Sequence, residues 1–515
     1  MRIVFVLFDS LNRLALGLHG GTVGTPSFDR FAERAVVFDT HYVGSLPCMP
    51  ARRDLHTGRL NFMHRSWGPL EPFDNSMPQL LSENGVYTHL ISDHLHYFED
   101  GGATYHTRYR SFEFIRGQEY DPWKAMVEPP LERFKEMYAR KHYDFEAVND
   151  PAARSQARLQ HAINREFMQD ESDFPGPRCF KAAFEFLERN RRAKRWLLQI
   201  ECFDPHEPFH APARFKRRYQ TGYNGAILDW PHYERVLDTP QEIAEIRANY
   251  AALVAMCDEY FGRLLDRFDE LDLWQDTALI LTTDHGFLLS EHGWWGKNRM
   301  PYYEEISHIP LLVYHPDFRR QGGGRRSMLT QTIDLMPTLL EMFGLPVPPE
   351  VRGRSLVPCL AGDRRLREVG VFGIFGGPIG ATDGRFAYYL FPEDLHAPGL
   401  FEYTLMPTHI RSRFSPEELR TAALAEPFDF TKGAPVLRYE ALPDAQRAPV
   451  QDGTGFADVG TVLFDLRQDP RQEGPMRNDG VEARLKASIR AEVEAHDAPD
   501  EFLARFGLQP TLPTS

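Results

Sequence analysis

The order of apolar segments along the chain predicts an α/β fold with a doubly wound, mostly parallel sheet. The opening segment is apolar throughout rather than alternating, as expected of a central strand that helices cover on both faces. Similar segments recur, and the four candidate strands are residues 3–8, 88–93, 196–200 and 277–284. Helical patterns lie between them, and such alternation of strands with helices is typical of doubly wound sheets.

Three helical patterns have recognisable ends. They cover residues 26–35, with Thr25 as a candidate N-cap, residues 243–271, and residues 333–343, which Gly344 closes. Between the second and third candidate strands, residues 97–194 are irregular and rich in aromatic and charged side chains. This stretch predicts an insertion that shapes the substrate pocket.

The C-terminal part of the chain has a different pattern. Residues 381–390 and 462–466 look like strands around turns, and a terminal helix begins at about residue 481. The 515 residues also exceed the roughly 250–300 at which single cores stop growing. We therefore expect a large catalytic domain and a smaller C-terminal α+β domain with an antiparallel sheet, at residues 1–368 and 369–515.

The composition is that of an ordinary globular protein, with 42% hydrophobic and 26% charged residues. A net charge of −14 argues against a nucleic-acid binder, which needs a basic surface. No apolar run reaches the roughly 18 residues of a membrane span, and the opening run is too short for a signal peptide. Five cysteines without a CxxC pair fit a reducing compartment. We expect a cytoplasmic protein without membrane or nucleic-acid partners, and homo-oligomerisation stays open.

Asp and His residues follow each of the four candidate strands. In doubly wound sheets, ligands bind outside the carboxyl ends of the strands, so these side chains should converge on one edge. Loops are polar in general, so a single Asp/His cluster after a strand needs no functional explanation. Four such clusters after four strands are harder to attribute to loop polarity alone. The clusters are Asp9, Asp93 with His94 and His96, Asp204 with His206, and Asp284 with His285.

Cys48 differs from the other cysteines, which are expected to be small buried hydrophobes, because a Pro-initiated helical segment follows it. The helix N-terminus and Arg52, one turn on, place positive potential beside the sulfur, where an anion can dock. A low-pKa thiolate nucleophile, as in cysteine phosphatases, is one use of such a site. Those enzymes need an arginine six positions after the cysteine, where this chain has Asp54. The thiolate alternative is therefore disfavoured.

The segment from Cys48 to Arg59 resembles the signature of the sulfatase family. Cys-x-Pro-x-Arg spans residues 48–52, and Thr-Gly-Arg follows at 57–59. The resemblance implies that a formylglycine-generating enzyme oxidises Cys48 to formylglycine (3-oxoalanine), whose hydrate attacks sulfur and later expels sulfate. It also implies an alkaline-phosphatase-like α/β domain and a small C-terminal sheet domain, in agreement with the two parts expected from the pattern.

Residues 283–313 are similar to the metal and lysine segment of that family. The resemblance implies that Asp9, Asp284 and His285 hold one divalent cation together with the modified Cys48. Calcium is expected first, with magnesium or manganese as alternatives, because carboxylate oxygens suit all three ions and an imidazole favours manganese.

Four further residues receive catalytic roles from the resemblance. Arg52 supplies positive charge beside residue 48, and Lys297 would neutralise charge on the transferring group. His206 would protonate the departing alkoxide, and His96 would contact the substrate in a stretch where the family carries a lysine and a histidine. From spacing alone, Lys297 would be interpreted as a solvated lysine in a loop. The resemblance of the surrounding residues to the family pattern favours the catalytic role instead.

The sequence also departs from the sulfatase pattern. Many sulfatases have two consecutive aspartates where this chain has Asp9 and Ser10, so Ser10, Asn12 or a water is expected to fill one metal position. This departure, with His285 after Asp284, resembles the related phosphonate monoester and phosphodiester hydrolases.

Hydrolysis of an organic sulfate monoester, a small anionic substrate, is the expected function. A phosphonate monoester or phosphodiester hydrolase with the same formylglycine is the first alternative. A catalytically inactive binding protein of the same fold is the second, and it is disfavoured because nucleophile precursor, metal carboxylates, arginine and lysine are all present.

Overall fold

The computed structural model describes residues 1–147, 155–298, 301–395, 397–441 and 460–509. Parts of the predicted insertion 97–194 and of the predicted C-terminal domain 369–515 lie outside these ranges. Within them, the chain forms an eight-stranded mostly parallel sheet, a five-stranded mainly antiparallel sheet, three smaller sheets of two or three strands, and helices that pack on the two larger sheets.

The described ranges contain twenty strands, most of them short. In chain order they are β1 (Arg2–Phe8), β2 (Val36–Phe38), β3 (His41–Tyr42), β4 (Ser45–Leu46), β5 (Tyr87–Ser92), β6 (Ser111–Phe114), β7 (Trp196–Cys202), β8 (Thr277–Thr283), β9 (Leu288–Leu289), β10 (Trp295–Gly296), β11 (Leu311–Tyr314), β12 (Arg325–Arg326), β13 (Thr330–Gln331), β14 (Gly370–Ile374), β15 (Ile379–Thr382), β16 (Phe386–Leu390), β17 (Phe401–Thr404), β18 (Ala423–Ala425), β19 (Val436–Glu440) and β20 (Val462–Asp465).

The same ranges contain fifteen α-helices, and none of these is long and apolar enough to cross a membrane. They are α1 (Pro26–Ala32), α2 (Cys48–Thr57), α3 (Met77–Glu83), α4 (Ala103–His106), α5 (Leu131–Met137), α6 (Ser155–Arg165), α7 (Pro175–Asn190), α8 (Ala213–Lys216), α9 (Pro240–Glu270), α10 (Glu304–Ser307), α11 (Leu335–Met342), α12 (Val357–Leu360), α13 (Pro416–Thr421), α14 (Asp479–Ala495) and α15 (Asp500–Arg505).

The main sheet has eight strands in the order β12-β2-β11-β8-β1-β7-β5-β6. Strand β11 is antiparallel to both of its neighbours, and the other pairs are parallel. The four strands expected from the sequence are β8, β1, β7 and β5, which lie side by side at its centre. The predicted doubly wound, mostly parallel sheet is confirmed.

Strand β1 shows why the opening segment is apolar throughout. Val4, Val6 and Phe8 pack into one core with helices α1, α7 and α9, whereas the alternate side chains from Ile3 to Leu7 pack into a second core with α3 and α11. Each fully buried aliphatic side chain contributes about 1.5–3 kcal/mol. This burial fixes β1, and with it the residues that follow Phe8.

One predicted helix end differs in detail from the structure, and another agrees with it. Thr25 lies at the N-cap of α1 but makes no capping hydrogen bond; its hydroxyl accepts a hydrogen bond from Gly17 N at 2.9 Å instead. Gly344 follows α11 with a left-handed φ of 69°, as expected of a glycine that ends a helix.

The second sheet has the order β20-β16-β15-β14-β4, and α14 packs on it through Leu485, Ile489 and Val493. Its strands from the C-terminal part pair antiparallel. Strand β4 joins it in parallel with β14 and ends two residues before Cys48. The C-terminal sheet therefore supports the segment that leads to Cys48.

Residues 97–194 also contribute to the main sheet and its core. Strand β6 forms one edge of that sheet, and Cys179, Phe180 and Leu187 of α7 are buried in the core beside β1. The domain boundaries at 97–194 and at 368 stay predictions.

Candidate active site

The register of the central strands brings the predicted metal residues together. Phe8 lies opposite Thr283 in the parallel pair of β1 and β8, so Asp9 and Asp284, the next residue of each strand, emerge side by side. His285 follows Asp284 and is fully buried. The carboxyl edge of the sheet therefore carries two carboxylates and one imidazole, as the alternating pattern predicts.

Cys48 is the first residue of α2 and is 1% exposed. Its Sγ lies 3.1 Å from Lys297 Nζ, 3.2 Å from His285 Nε2 and 3.9 Å from Asp9 Oδ1. Burial raises the pKa of the Cys48 thiol well above its usual value, and the Asp9 charge raises it further against the opposing charge of Lys297. The side chain is a buried thiol, which disfavours the thiolate alternative.

Four side chains form a donor set that fits a divalent cation. One ligand atom from each of Asp9, Cys48, Asp284 and His285 lies within 4.8 Å of the others. The Nδ1–H of His285 donates to Gly286 O at 3.0 Å, which leaves Nε2 facing the carboxylates, as in metal-binding histidines. Two carboxylates and one imidazole suit manganese, magnesium or calcium.

Of the two candidates for the missing second aspartate, Ser10 lies at the site and Asn12 does not. The Ser10 hydroxyl donates to Asp9 Oδ1 at 2.8 Å, and the Ser10 backbone N–H donates to Asp284 Oδ1 at 3.1 Å. The Asn12 amide instead donates to Phe287 O, and its oxygen accepts from Leu14 N. Asn12 is therefore used to cap a short helical turn.

Arg52 holds the carboxylates of the site in place. Its guanidinium donates to Glu201 at 2.6 Å, to Asp284 at 2.6 Å and to Asp9 at 3.0 Å. All four side chains are at most 1% exposed. Charge-assisted hydrogen bonds of this kind fix geometry as well as charge.

The charges around the site give the two carboxyl groups, Asp9 and Asp284, different pKa values. Burial and the charge of Asp9 raise the pKa of Asp284 to about 7. Burial also acts to raise the pKa of Asp9, but Lys297, His206 and Arg52 overcome it and hold that pKa well below its usual value. Lys297 is itself 3% exposed, with Nζ 3.8 Å from Asp9 Oδ1. A compact cationic group thus stands beside residue 48, where an anionic ester would lie.

A comparison with protein families decides the identity of this fold and site. The model of the sulfatase family matches residues 2–345. The chain belongs to the sulfatase family. The matched part contains Cys48, Lys297 and the two candidate metal carboxylates, Asp9 and Asp284.

Known relatives of this sulfatase are similar over most of their length. The multifunctional alkaline phosphatase superfamily protein PehA of Trinickia caryophylli is 26% identical over 382 residues, which cover 65% of this chain and 71% of the relative. The choline-sulfatase of Rhizobium meliloti is 26% identical over 432 residues, covering 76% of this chain and 79% of the relative.

Solved structures share the fold over almost the whole chain. A protein solved with its substrate D-glucosamine-2-N,6-O-disulfate matches with a TM-score of 0.64 and 16% identity, over 97% of this chain and 99% of that chain. The phosphonate monoester hydrolase of Agrobacterium radiobacter matches with a TM-score of 0.62 and 17% identity, over 98% of this chain and 97% of that chain. At these identities the likeness shows the alkaline-phosphatase-like fold.

In this sulfatase, His206 lies beside the site with its ring fixed. Its Nδ1–H donates to Glu207 O, and the Glu207 carboxylate lies 3.3 Å from the same nitrogen. Glu207 in turn accepts a hydrogen bond from the Tyr233 hydroxyl. Burial and the charge of Lys297 lower the pKa of His206 well below its usual value, so the ring is neutral before substrate binds.

The two histidines after β5 occupy different positions. His94 is fully buried, with Nε2 3.4 Å from Asp9 Oδ2. His96 lies farther out, where its Nδ1–H donates to Glu99 at 2.6 Å and its Nε2 accepts from Arg411 at 3.4 Å. The sequence singled out His96, whereas His94 is the histidine that contacts a metal carboxylate.

Sequence reasoning did not select Glu201, although it pairs with Arg52. Its carboxylate also accepts hydrogen bonds from Tyr97 OH at 2.9 Å and Gln199 Nε2 at 3.0 Å. The available signal was a glutamate within the apolar strand β7, because a buried carboxylate needs a cationic or hydrogen-bonding partner.

Gly286 fixes the backbone behind His285, and we expect Gly286→Ala to be strongly destabilising. A Cβ there would lie 1.8 Å from Glu305 O, a backbone atom, so overpacking should cost about 3 kcal/mol. Denaturant unfolding with circular dichroism measures this change. Gly24→Ala is the matched control, since nothing lies within 4 Å of its Cβ; equal stability of the two variants would contradict the prediction.

Proposed function

We propose that the protein hydrolyses an organic sulfate monoester to an alcohol and sulfate, with formylglycine derived from Cys48 as the nucleophile. The observation that carries this proposal is the position of Cys48 Sγ, 3.1 Å from Lys297 Nζ and within the donor set of Asp9, Asp284 and His285. The nucleophile precursor, the metal ligands and a cation for the ester thus occupy one buried site. Formylglycine supplies a geminal diol, whose hydroxyl is the attacking group.

The metal residues and Lys297 act on the transferring group. Asp9, Ser10, Asp284 and His285 would hold one divalent cation together with residue 48. Such a cation polarises an ester oxygen and lowers the pKa of a nearby hydroxyl. Lys297, with Nζ 3.1 Å from Cys48 Sγ, would neutralise charge on the transferring group, while Arg52 would hold Asp9 and Asp284 in place.

His206 is the candidate acid for the leaving alkoxide. Its Nδ1–H is committed to Glu207 O, so Nε2 is the nitrogen that can exchange a proton with substrate. An anionic ester beside the ring favours its protonated form, which offsets the effects of burial and Lys297. His206 would give this proton to the departing oxygen as the ester bond breaks.

A phosphonate monoester or phosphodiester hydrolase is the second candidate, because one observation favours it. The donor set contains an imidazole, His285, and the chain has Ser10 at the position of a second N-terminal aspartate. Sulfate is placed first because relatives named as sulfatases align over more than two thirds of this chain at 24–26% identity, whereas the two solved phosphonate monoester hydrolases are 17% and 20% identical.

The test begins with mass spectrometry of the Cys48 peptide, from protein co-produced with a formylglycine-generating enzyme. We expect a mass about 18 Da below that of the unmodified peptide, the difference that this oxidation fixes. The same sample is then assayed with 4-nitrophenyl sulfate and with 4-nitrophenyl phenylphosphonate. We expect kcat/KM for the sulfate to be higher by about 100-fold or more.

Each contrary result has a distinct meaning. A higher kcat/KM for the phosphonate would replace the leading proposal by the second candidate. Hydrolysis by protein in which Cys48 is still a thiol would overturn the assignment of the nucleophile.

A further inference from the structure

A tightly built loop, residues 116–121, stands beside the active site. The Arg116 guanidinium and the Asp121 carboxylate form a fork with distances of 2.6 to 3.0 Å. Gly117 N donates to the same carboxylate at 2.8 Å, and Asp121 N donates to Gln118 O at 2.9 Å. The loop therefore has a fixed conformation of its own.

Gln118 ties this loop to the strand ends of the site. Its amide donates to Asp93 at 3.1 Å and to Asp204 at 3.0 Å, and these residues follow β5 and β7. The next residue, Glu119, has a φ of 46°, which side chains larger than glycine adopt rarely and at a cost. Such strain persists where surrounding contacts impose it, and it is common at functional sites.

The Glu119 side chain lies beside His96 and is almost completely buried. The side chain is 9% exposed, and its Oε2 lies 4.0 Å from His96 Nε2. Oε2 accepts no hydrogen bond from any residue within the described ranges. An unsatisfied buried carboxyl oxygen costs about 1–3 kcal/mol, so this atom is expected to find its partner in a ligand.

Arg411, from the C-terminal part of the chain, contacts the same histidine as Glu119. Its guanidinium lies over the rings of Trp67 and Tyr120, with centroid distances of 5.2 and 5.4 Å. It is 3.9 Å from Glu99 and 3.4 Å from His96. The side chain is 40% exposed, so its N–H donors are open to a ligand at the pocket mouth.

We call the group of Glu119, Arg411, Glu99 and His96 the subsite. The charges of these side chains favour an uncharged ligand. His96 and Arg411 lower the pKa of Glu99 to about 2 against the effect of burial, so its charge cancels that of Arg411. Burial raises the pKa of Glu119 to about 8, against the opposing charge of Arg411, so this group is mostly neutral at pH 7. The positive charge of Arg411 would repel an ammonium group on the ligand, and the negative charge of Glu99 would repel a second anionic group.

An aromatic leaving group also fits this subsite poorly. Stacking is the main contact that a protein offers to an aryl ring, and Arg411 already covers the faces of Trp67 and Tyr120. The groups that remain available to a ligand are the carboxyl group of Glu119 and the guanidinium of Arg411. Together they offer a hydrogen-bond acceptor and a donor, which suits a hydroxyl group.

We propose that Glu119 and Arg411 bind the leaving group, and that the natural ester is formed from an uncharged alcohol with a hydroxyl on the carbon next to the ester. This inference rests on the function proposed above. Glu119 exchanges hydrogen bonds with that hydroxyl, and Arg411 donates to it from the opposite side. Both are specificity-determining residues outside the reacting centre.

A matched series of esters tests the subsite. Cyclohexyl sulfate is compared with its trans-2-hydroxy, trans-2-ammonio and trans-2-carboxy derivatives, using matured protein. We expect the hydroxy ester to have the highest kcat/KM, by about 10- to 100-fold over cyclohexyl sulfate, as one or two hydrogen bonds to a substrate hydroxyl would give. Preference for the ammonio or carboxy ester, or none at all, would overturn the inference.

Variants of Glu119 and Arg411 test whether these two residues cause the preference for the hydroxy ester. Glu119→Met and Arg411→Met should each lose most of it, whereas Glu119→Gln, which keeps hydrogen-bonding groups, should retain part. The readout is the ratio of kcat/KM for the hydroxy ester to kcat/KM for cyclohexyl sulfate in each variant, because damage to the reacting centre lowers both values together. Glu132→Met, at a side chain that is 86% exposed, is the matched control. Equal losses on all esters in Glu119→Met would mean a structural role.

A readout without turnover separates this inference from the proposed function. Saturation-transfer NMR compares binding of trans-cyclohexane-1,2-diol with that of cyclohexanol, in wild type and in Glu119→Met. If matured protein hydrolyses no ester but binds the diol through Glu119, the proposed function fails and the subsite stands. If it hydrolyses esters without any preference for the diol, the subsite fails alone.

Discussion

Cys48→Ala is expected to lower kcat/KM for the ester substrate by roughly 10⁴- to 10⁶-fold, the range that follows loss of a catalytic nucleophile. Alanine cannot be oxidised to formylglycine, so the attacking hydroxyl is lost together with one donor of the metal set. Binding of the ester next to Lys297 should remain, since the role proposed for this lysine is to contact the transferring group rather than the nucleophile. Steady-state kinetics with 4-nitrophenyl sulfate measures the loss.

Cys359→Ala is the matched control for this variant. Cys359 is as fully buried as Cys48, but it belongs to α12 and packs in the core that α11 also lines, outside the candidate metal donor set. The same chemical change there should leave kcat/KM within about threefold and cost about 1 kcal/mol of stability. Substantial activity in Cys48→Ala would refute the assignment of the nucleophile, and it would direct attention to a hydroxide held by the metal residues.

Local sequence pattern was sufficient to predict the centre of the fold. Strands β1, β5, β7 and β8 were all expected, because a strand buried on both faces needs apolar side chains at every position. The start of α9 was placed three residues late, although Thr239 and Glu242 form a capping box there that can be read from sequence. Residues 97–194 were interpreted as an insertion because their pattern is irregular and rich in aromatic and charged side chains, and this interpretation stays a prediction.

The candidate site was predictable where chemistry follows strand ends, and less so elsewhere. Asp9, Asp284 and His285 were expected together because parallel strands end at the same edge, and the structure places them within 4.8 Å of one another. Arg411 was not expected, since its contact with His96 spans 315 residues and depends on how the C-terminal part folds over the pocket. No local pattern encodes such an approach.

Arg52→Met is expected to reduce both stability and activity by large factors. The guanidinium of Arg52 is shared by three buried carboxylates, those of Asp9, Glu201 and Asp284. Without it, like charges remain buried together, and removal of one partner from a buried ionic network costs about 3–5 kcal/mol. The aspartates would also lose their register beside residue 48, which should lower kcat by at least about 100-fold. Denaturant unfolding and 4-nitrophenyl sulfate kinetics measure the two effects.

The size of the stability loss should depend on divalent cations. In chelator the full loss is expected, whereas excess cation should restore part of it, because a bound cation neutralises Asp9 and Asp284 and stabilises the folded state. It cannot neutralise Glu201, which belongs to the Arg52 network but not to the donor set, so recovery should be incomplete. Arg53→Met is the matched control on the same helix: Arg53 is also buried and pairs with Asp74 at 2.8 Å, so this variant should lose stability but keep its activity in the folded fraction. If Arg53→Met were as inactive as Arg52→Met, the loss would reflect damage to α2 as a whole, and the specific role of Arg52 in holding the metal carboxylates would be wrong.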